Sequence, residues 1–179
     1  MAVPLVIVAV AIAIGIIAAA VVLYLNPAIT SMLGQPEPQQ QELIISKEVR
    51  SGNGYRQVNV SVNGLVLIAD IAATDEQRTK GLSVKDSLAE NEAMLFVFDN
   101  EAQYTFWMKN MKFPIDIIWI DAGKTVVHIE HSLQPCRSDL LCPTYKPVDD
   151  SLYVLETVGG FAEKHDIAKG ARVEFELSA

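Results

Sequence analysis

The sequence predicts an α+β domain, mainly antiparallel β (a curled sheet or small barrel with two short helices), preceded by one transmembrane helix. Three observations predict it. An apolar run extends from Leu5 to Leu25, interrupted only by Gly15. An Asn63-Gly64 pair separates two β-patterned runs, the strongest short-range hairpin signal. Many short β-patterned runs follow without the regular strand-helix alternation of parallel folds.

The 179 residues carry 14 basic and 22 acidic side chains, for a formal net charge of -8. Residues 1–41 contain no Lys or Arg and one acid, Glu37. The remainder is charged at about a quarter of its positions, the usual share for a soluble globular domain. It is long enough to bury one sizeable core. This pattern excludes a multi-pass membrane protein, a disulfide-dense miniprotein and a disordered acidic tail. No basic cluster is present, which argues against nucleic acid, since phosphate contacts need grouped Lys and Arg.

After a short tail at residues 1–4, residues 5–25 would form a helix of roughly 30 Å, matching the hydrocarbon thickness of a bilayer. A cleaved signal peptide is the rival, but it wants a basic leader and a shorter apolar stretch. The expected partner is therefore the lipid bilayer. Gly15 and the nearby alanines also offer a small-residue face to other membrane subunits. The first basic residue is Lys47, so the positive-inside rule says little about orientation. The cysteine pair and the acidic flank favour a cell-membrane, single-pass protein with its C-terminal domain extracytoplasmic. Residues 26–41 are a Pro/Gln-rich tether, and residues 42–179 are one globular domain.

Within the domain, Val58, Val60 and Val62 alternate with polar residues, and residues 65–72 return as the second strand of the hairpin. Thr74 and Gln77 form a capping-box pattern opening a short helix that stops near Gly81. Apolar runs at 93–98, 104–108 and 115–120 predict three strands, with 109–114 joining the last two. Residues 121–124 turn the chain into a strand over 125–131. Residues 153–157 are another strand, Gly159-Gly160 opens a second short helix to about His165, and 172–177 closes the sheet.

The densest run of unusual residues is 104–116. A hairpin through Asn110 to Phe113 would bring Lys109 beside Asp116, near Trp107. This pair is either a structural salt bridge or part of a pocket in which a shifted pKa serves binding or acid-base work. Glu156 lies in an otherwise apolar strand; it either faces solvent or pairs with a base, Lys109 and Arg78 being the candidates. Cys136 and Cys142 are the only cysteines, and in an extracytoplasmic domain they would close a small loop as a disulfide. The alternative joins them to His128 and His131 as a metal set, which needs a bulge to turn both histidines one way. His165 is expected near helix-terminal carbonyls, and Asp149-Asp150 in a loop. Asn59 heads a glycosylation sequon within a strand. Nothing in the sequence points to a cofactor or to an established class of enzyme motif.

The ordered blocks QRTKGLS, MLFVF, FWMKNMKFPIDIIWID, PC, CPTY, YVLE and KGARV resemble the domain of unknown function 192 family, a family also described as uncharacterised conserved membrane proteins. The resemblance spans roughly residues 66–175. It places Arg78, Gly81-Leu82, Phe106 to Asn110, Pro114, Asp116, Cys136, Cys142, Tyr145 and Tyr153 to Glu156 in matched blocks. The chain departs from the usual pattern at Ser83 (often Met), Met111 (often Thr) and Ala171 (often Asp). The resemblance implies a compact, mainly β fold, exported or membrane-anchored, with no established reaction. The sequence thus points to a binding or accessory module; an enzyme using Lys109 and Asp116, or a subunit of a membrane complex, is the rival.

Overall fold

The computed structural model describes residues 50–52, 54–136 and 141–177. The expected membrane span and tether lie outside the described residues. Among the described residues no helix is long and apolar enough to cross a membrane. Glu48–Ala179 forms one compact unit.

The first strand, β1 (Gln57–Val62), pairs antiparallel with β2 (Leu65–Ala72). Asn63 and Gly64 between them both have positive φ, 50° and 79°, the conformation that a type I′ turn requires. Thr74 then caps α1 (Asp75–Lys80): its hydroxyl accepts from the Gln77 N–H, and the Gln77 side chain accepts from the Thr74 N–H. Gly81 ends this helix at φ 49° and leads into a 3-10 turn, Gly81–Val84. The chain then enters β3 (Glu92–Ala102).

Strands β5 (Ile115–Ile120), β6 (Val126–Leu133) and β8 (Ser151–Val158) complete most of the sheet with β9 (Val173–Glu174), in the order β6-β5-β8-β3-β2-β1-β9. The pairings are antiparallel except β2 with β3, which run parallel across the connection that carries α1. The two outer strands also approach each other. Val126 donates to Ala171 O, Gly170 to Val126 O and Val173 to Lys124 O, at 2.8–2.9 Å. The sheet is therefore a curled half-barrel.

Two short strands differ from expectation. The 104–108 run forms only β4 (Phe106–Trp107), and it pairs with β7 (Thr144–Tyr145) rather than folding back on β5. Both long edges of β5 are already taken by β6 and β8, so no hairpin with 104–108 can form there.

All six β5 residues are buried, because both faces of the sheet are covered. On one face Ile118 and Ile120 pack with Val60, Leu95, Leu155 and Phe161, the last from α2 (Phe161–Lys164). On the other face Ile115, Ile117 and Trp119 pack with Met94, Phe96, Met108 and Leu82. Alternation along the strand therefore assigns Asp116 to the α2 face.

Asp116 is fully buried there. Its Oδ1 accepts the N–H of Ser132 at 2.7 Å and of Gly160 at 2.8 Å, and its Oδ2 accepts the N–H of Ala162 at 2.7 Å. The Ser132 N–H is available because the β5–β6 register slips, with Ile115 opposite Leu133 but Ile117 opposite Glu130. Ser132 sits in this bulge at φ 49°. Gly159 closes the same corner: an added Cβ would lie 3.0–3.2 Å from Pro114. Its own N–H donates to Pro114 O at 3.0 Å.

Asp116→Ala should therefore strand three backbone N–H groups, that of Ala162 buried, and cost roughly 3–5 kcal/mol, with Asp116→Asn costing less because one acceptor oxygen survives. Chemical denaturation of the full chain measures this; an Ala variant as stable as the parent would contradict the assignment.

Candidate functional site

A cavity of about 340 Å³ opens on the face opposite Asp116. Its floor is Glu156 on β8, flanked in the sheet by Met94 of β3 and Ile117 of β5. These apolar neighbours explain why the carboxyl is dry. Its wall on one side is α1 and the 3-10 turn, including Arg78, Lys80, Gly81 and Ser83. Across from them stand Phe98, Tyr104, Phe106, Trp107, Lys109 and Met111.

Glu156 is 4% exposed, and its Oε2 has no hydrogen-bond partner among the described residues. Burial pushes its carboxyl up to about 8, opposed by a hydrogen bond from the Leu82 backbone N–H. An ionised carboxylate in such a place is costly, so the acid keeps its proton at neutral pH. Gly81 makes the access. Its positive φ ends α1, and an added Cβ would stand 3.4 Å from the Phe96 ring and 3.9 Å from Glu156 Oε2.

The aromatic groups form a connected wall. Phe106 meets Phe96 edge-on at 4.9 Å and Trp119 edge-on at 5.9 Å between ring centroids, and Phe98 stacks on Tyr104. Trp107 behaves differently from the buried Trp119: it is 53% exposed at the rim. Lys109 is exposed beside it, just before Asn110, whose φ of 60° turns the chain.

Arg78 is a clamp. One guanidinium nitrogen donates to Ala73 O at 2.6 Å and Val97 O at 2.8 Å, the other meets Asp75 Oδ1 at 2.6 Å, and the group lies over the Phe98 ring. This ties α1 to β3 and fixes one side of the cavity.

Of the residues singled out in the sequence, Arg78, Trp107, Lys109 and Glu156 thus surround one cavity, whereas Asp116 lies on the other side of the sheet. The expected Lys109–Asp116 juxtaposition is corrected by strand parity and by the three N–H groups that already occupy the Asp116 carboxylate. Glu156 neither faces solvent nor rests on a strong ion pair. Ser83 and Met111 also line the cavity.

The cysteines require a second correction. Cys136 and Cys142, expected as a disulfide, stand as half-buried thiols. Both lie close enough to Tyr145 to help raise its phenol, an effect led by burial and joined by Glu130. Proximity of this kind does not demand a bond, which needs the two Cβ atoms about 3.8 Å apart. The residues between them, 137–140, are outside the described residues.

The β6 bulge does bring His128 and His131 to one shallow depression with Lys169, yet no three metal-ligating side chains gather among the described residues. His128 instead meets Glu130 at 3.2 Å and the Trp119 ring. His165 reaches Glu90 at 2.8 Å rather than helix carbonyls. Asp149 pairs with Lys169 at 2.6 Å. Asn59 is exposed in the middle of β1, opposite Ile68.

One buried ion pair was not legible in the sequence. Asp70 accepts from Gln57 at 2.9 Å, and Lys85 Nζ stands 3.2 Å from its other oxygen, supplying charge without a hydrogen bond. An acid in an apolar strand, Asp70 within LVLIADIA, was the available signal.

A profile of the DUF192 family, described as "Uncharacterized ACR", matches residues 58–175. A protein of unknown function from Novosphingobium aromaticivorans is similar in structure, with TM-score 0.66 and 28% identity over 72% of this chain and 93% of that one. A Sinorhizobium meliloti protein, described as a candidate transcription regulator, is similar with TM-score 0.62 and 26% identity over 72% of this chain and 97% of that one. No curated protein matches the chain significantly.

The Glu156 carboxyl makes stability depend on pH in a defined direction. Its folded value of about 8 lies above the ordinary 4.5. Between these values the folded state holds a proton that the unfolded state has released, so stability falls as pH rises through the window and levels off above it. The full effect is on the order of a few kcal/mol. Glu156→Gln, neutral throughout, should lose this component. Urea midpoints at pH 5 and pH 8.5 for parent and variant measure the difference; parallel profiles would contradict a buried protonated acid.

Proposed function

Taking as premise that this chain belongs to the DUF192 family, we propose that it is a membrane-anchored, extracytoplasmic binding module whose ligand site is the Glu156 cavity. One observation carries the reading: a buried acid with an unpartnered oxygen forms the floor of an open cavity with aromatic walls. A polar group left dry and unsatisfied costs free energy. A ligand that hydrogen-bonds to it recovers that cost, and the half-exposed Trp107 offers a rigid apolar surface at the entrance.

The anchor rests on the apolar run at 5–25, and the outward orientation on the cysteine pair and acidic flank. Other membrane subunits would meet the small-residue face around Gly15. The proposed module uses no cofactor and does not engage nucleic acid.

A second reading, an enzyme, is favoured by the same Glu156, since an acid titrating near neutrality suits general acid-base work. Its centre would be Glu156 with Lys109 at the rim. Among the described residues lining the cavity there is no His or Cys to act as a nucleophile.

Methyl-labelled methionines report ligand entry in the full chain in detergent. Met111 lines the cavity, Met94 lies beside Glu156 in the sheet, and Met32 belongs to the proposed tether. Benzyl alcohol, phenylacetate and phenethylamine are suitable probes. At least one should shift Met111 while leaving Met32 in place; silence at Met111 with all three would overturn the binding site. Protease added to sealed cells should remove the domain, and full protection would overturn the orientation.

A further inference from the structure

The cavity wall is largely aromatic, and its rings differ in what they already touch. Phe96 and Phe106 meet edge-on, Phe106 also meets Trp119, and Phe98 is covered by Tyr104 and by the Arg78 guanidinium. Trp107 is the exception. Among the described residues no ring or cation covers it, and it stands half-exposed on the wall. A large flat side chain left open beside a recess is suited to receive another ring, since aromatic pairs gain from offset stacking as well as from area removed from water.

The ions on the wall are committed to one another. Arg78 meets Asp75 at 2.6 Å and Lys80 meets Glu76 at 2.6 Å, while Lys109 is exposed at the rim, where water and salt screen its field. A charged ligand group would leave water for a recess whose ions are already paired or screened, and little attraction would offset that desolvation. Two hydroxyls on the wall are also partly committed. Thr79 donates to Asp75 O at 2.8 Å and Ser83 donates to Lys80 O at 2.5 Å. Each has used its one hydrogen and retains lone pairs, so the complement on a ligand is a neutral donor.

We infer that the cavity binds a small neutral aromatic molecule bearing a hydroxyl or amide donor, with its ring stacked on Trp107 and its donor toward Thr79 and Ser83. This rests on the binding-site reading and specifies its ligand class. A volume of about 340 Å³ lies at the small end of ligand pockets, enough for one or two rings. Trp107 lies in a two-residue strand held through its pairing with Thr144. Its side chain is therefore open to substitution without loss of a core contact.

Titrations of the full chain at pH 7, followed by the methyl signal of Met111 and the indole N–H signals of the two tryptophans, test this. The probes are benzyl alcohol, benzyl methyl ether, cyclohexylmethanol, phenylacetate and phenethylamine. Benzyl alcohol should bind at least fivefold more tightly than each of the others, and should shift the Trp107 indole more than that of Trp119, whose Nε1 donates to Tyr104 O. Trp107→Ala should weaken benzyl alcohol at least fivefold, while Trp107→Phe, which keeps a ring, should stay within about twofold of the parent. Equal or tighter binding of phenylacetate or phenethylamine would overturn the neutral assignment. Equal binding of cyclohexylmethanol, or unchanged affinity in Trp107→Ala, would overturn the stacking, and equal binding of the ether would overturn the donor. In each of these cases Met111 still moves and the binding site stands. Silence at Met111 with every probe would overturn the binding-site reading itself.

Discussion

Asp116 draws together two segments far apart in sequence, the Ser132 bulge of β6 and the Gly160–Ala162 start of α2. A carboxylate that accepts three backbone N–H bonds is satisfied without any basic partner, and each bond is charge-assisted. The bulge, the tight Gly159–Pro114 approach and the seat of α2 over the half-barrel core are all fixed by that one group. This corner also holds β8 in register against β5. The sheet position of Glu156 on the opposite face follows from the same register, because Asp116 faces Thr157 and Ile117 faces Glu156.

The protein thus uses its two unpaired-looking acids in opposite ways. Asp116 is satisfied by the three donors that the backbone supplies. Glu156, with one backbone donor and an apolar surround of Met94, Ile117 and Phe96, keeps its proton instead. One acid stabilises the fold, and the other is held ready at a cavity. Arg78 contributes to the second arrangement by positioning: its bonds to Ala73 and Val97 set the distance between α1 and β3 across which the cavity opens. Gly81 contributes by absence, since no side chain separates Glu156 from the opening.

Local signals in the sequence reached far into this structure. Asn63-Gly64, the Thr74/Gln77 capping box and the Gly81 stop each depend on a few adjacent residues, and each stands where those residues imply. The failures involve partners remote in sequence. The run 104–108 is as strand-like as its neighbours, but only the sheet order shows that β5 has no edge left for it, so Lys109 and Asp116 were paired by a hairpin that does not exist. The parallel β2–β3 pairing and the Ser132 bulge are likewise tertiary facts. Arg78, Trp107, Lys109 and Glu156 were singled out as unusual residue types in apolar or aromatic runs. Their convergence on one cavity depends on strand parity, which sequence alone leaves open until the pairings are known.

The account depends most on the proton of Glu156. Carboxyl-labelled glutamate in the full chain, followed by ¹³C NMR from pH 4 to 10 with Glu156→Gln for assignment, reads it directly. A Glu156 resonance titrating near pH 8, the folded value expected here, is the predicted result. A midpoint between 4 and 5, typical of an ordinary exposed glutamate, would contradict the account.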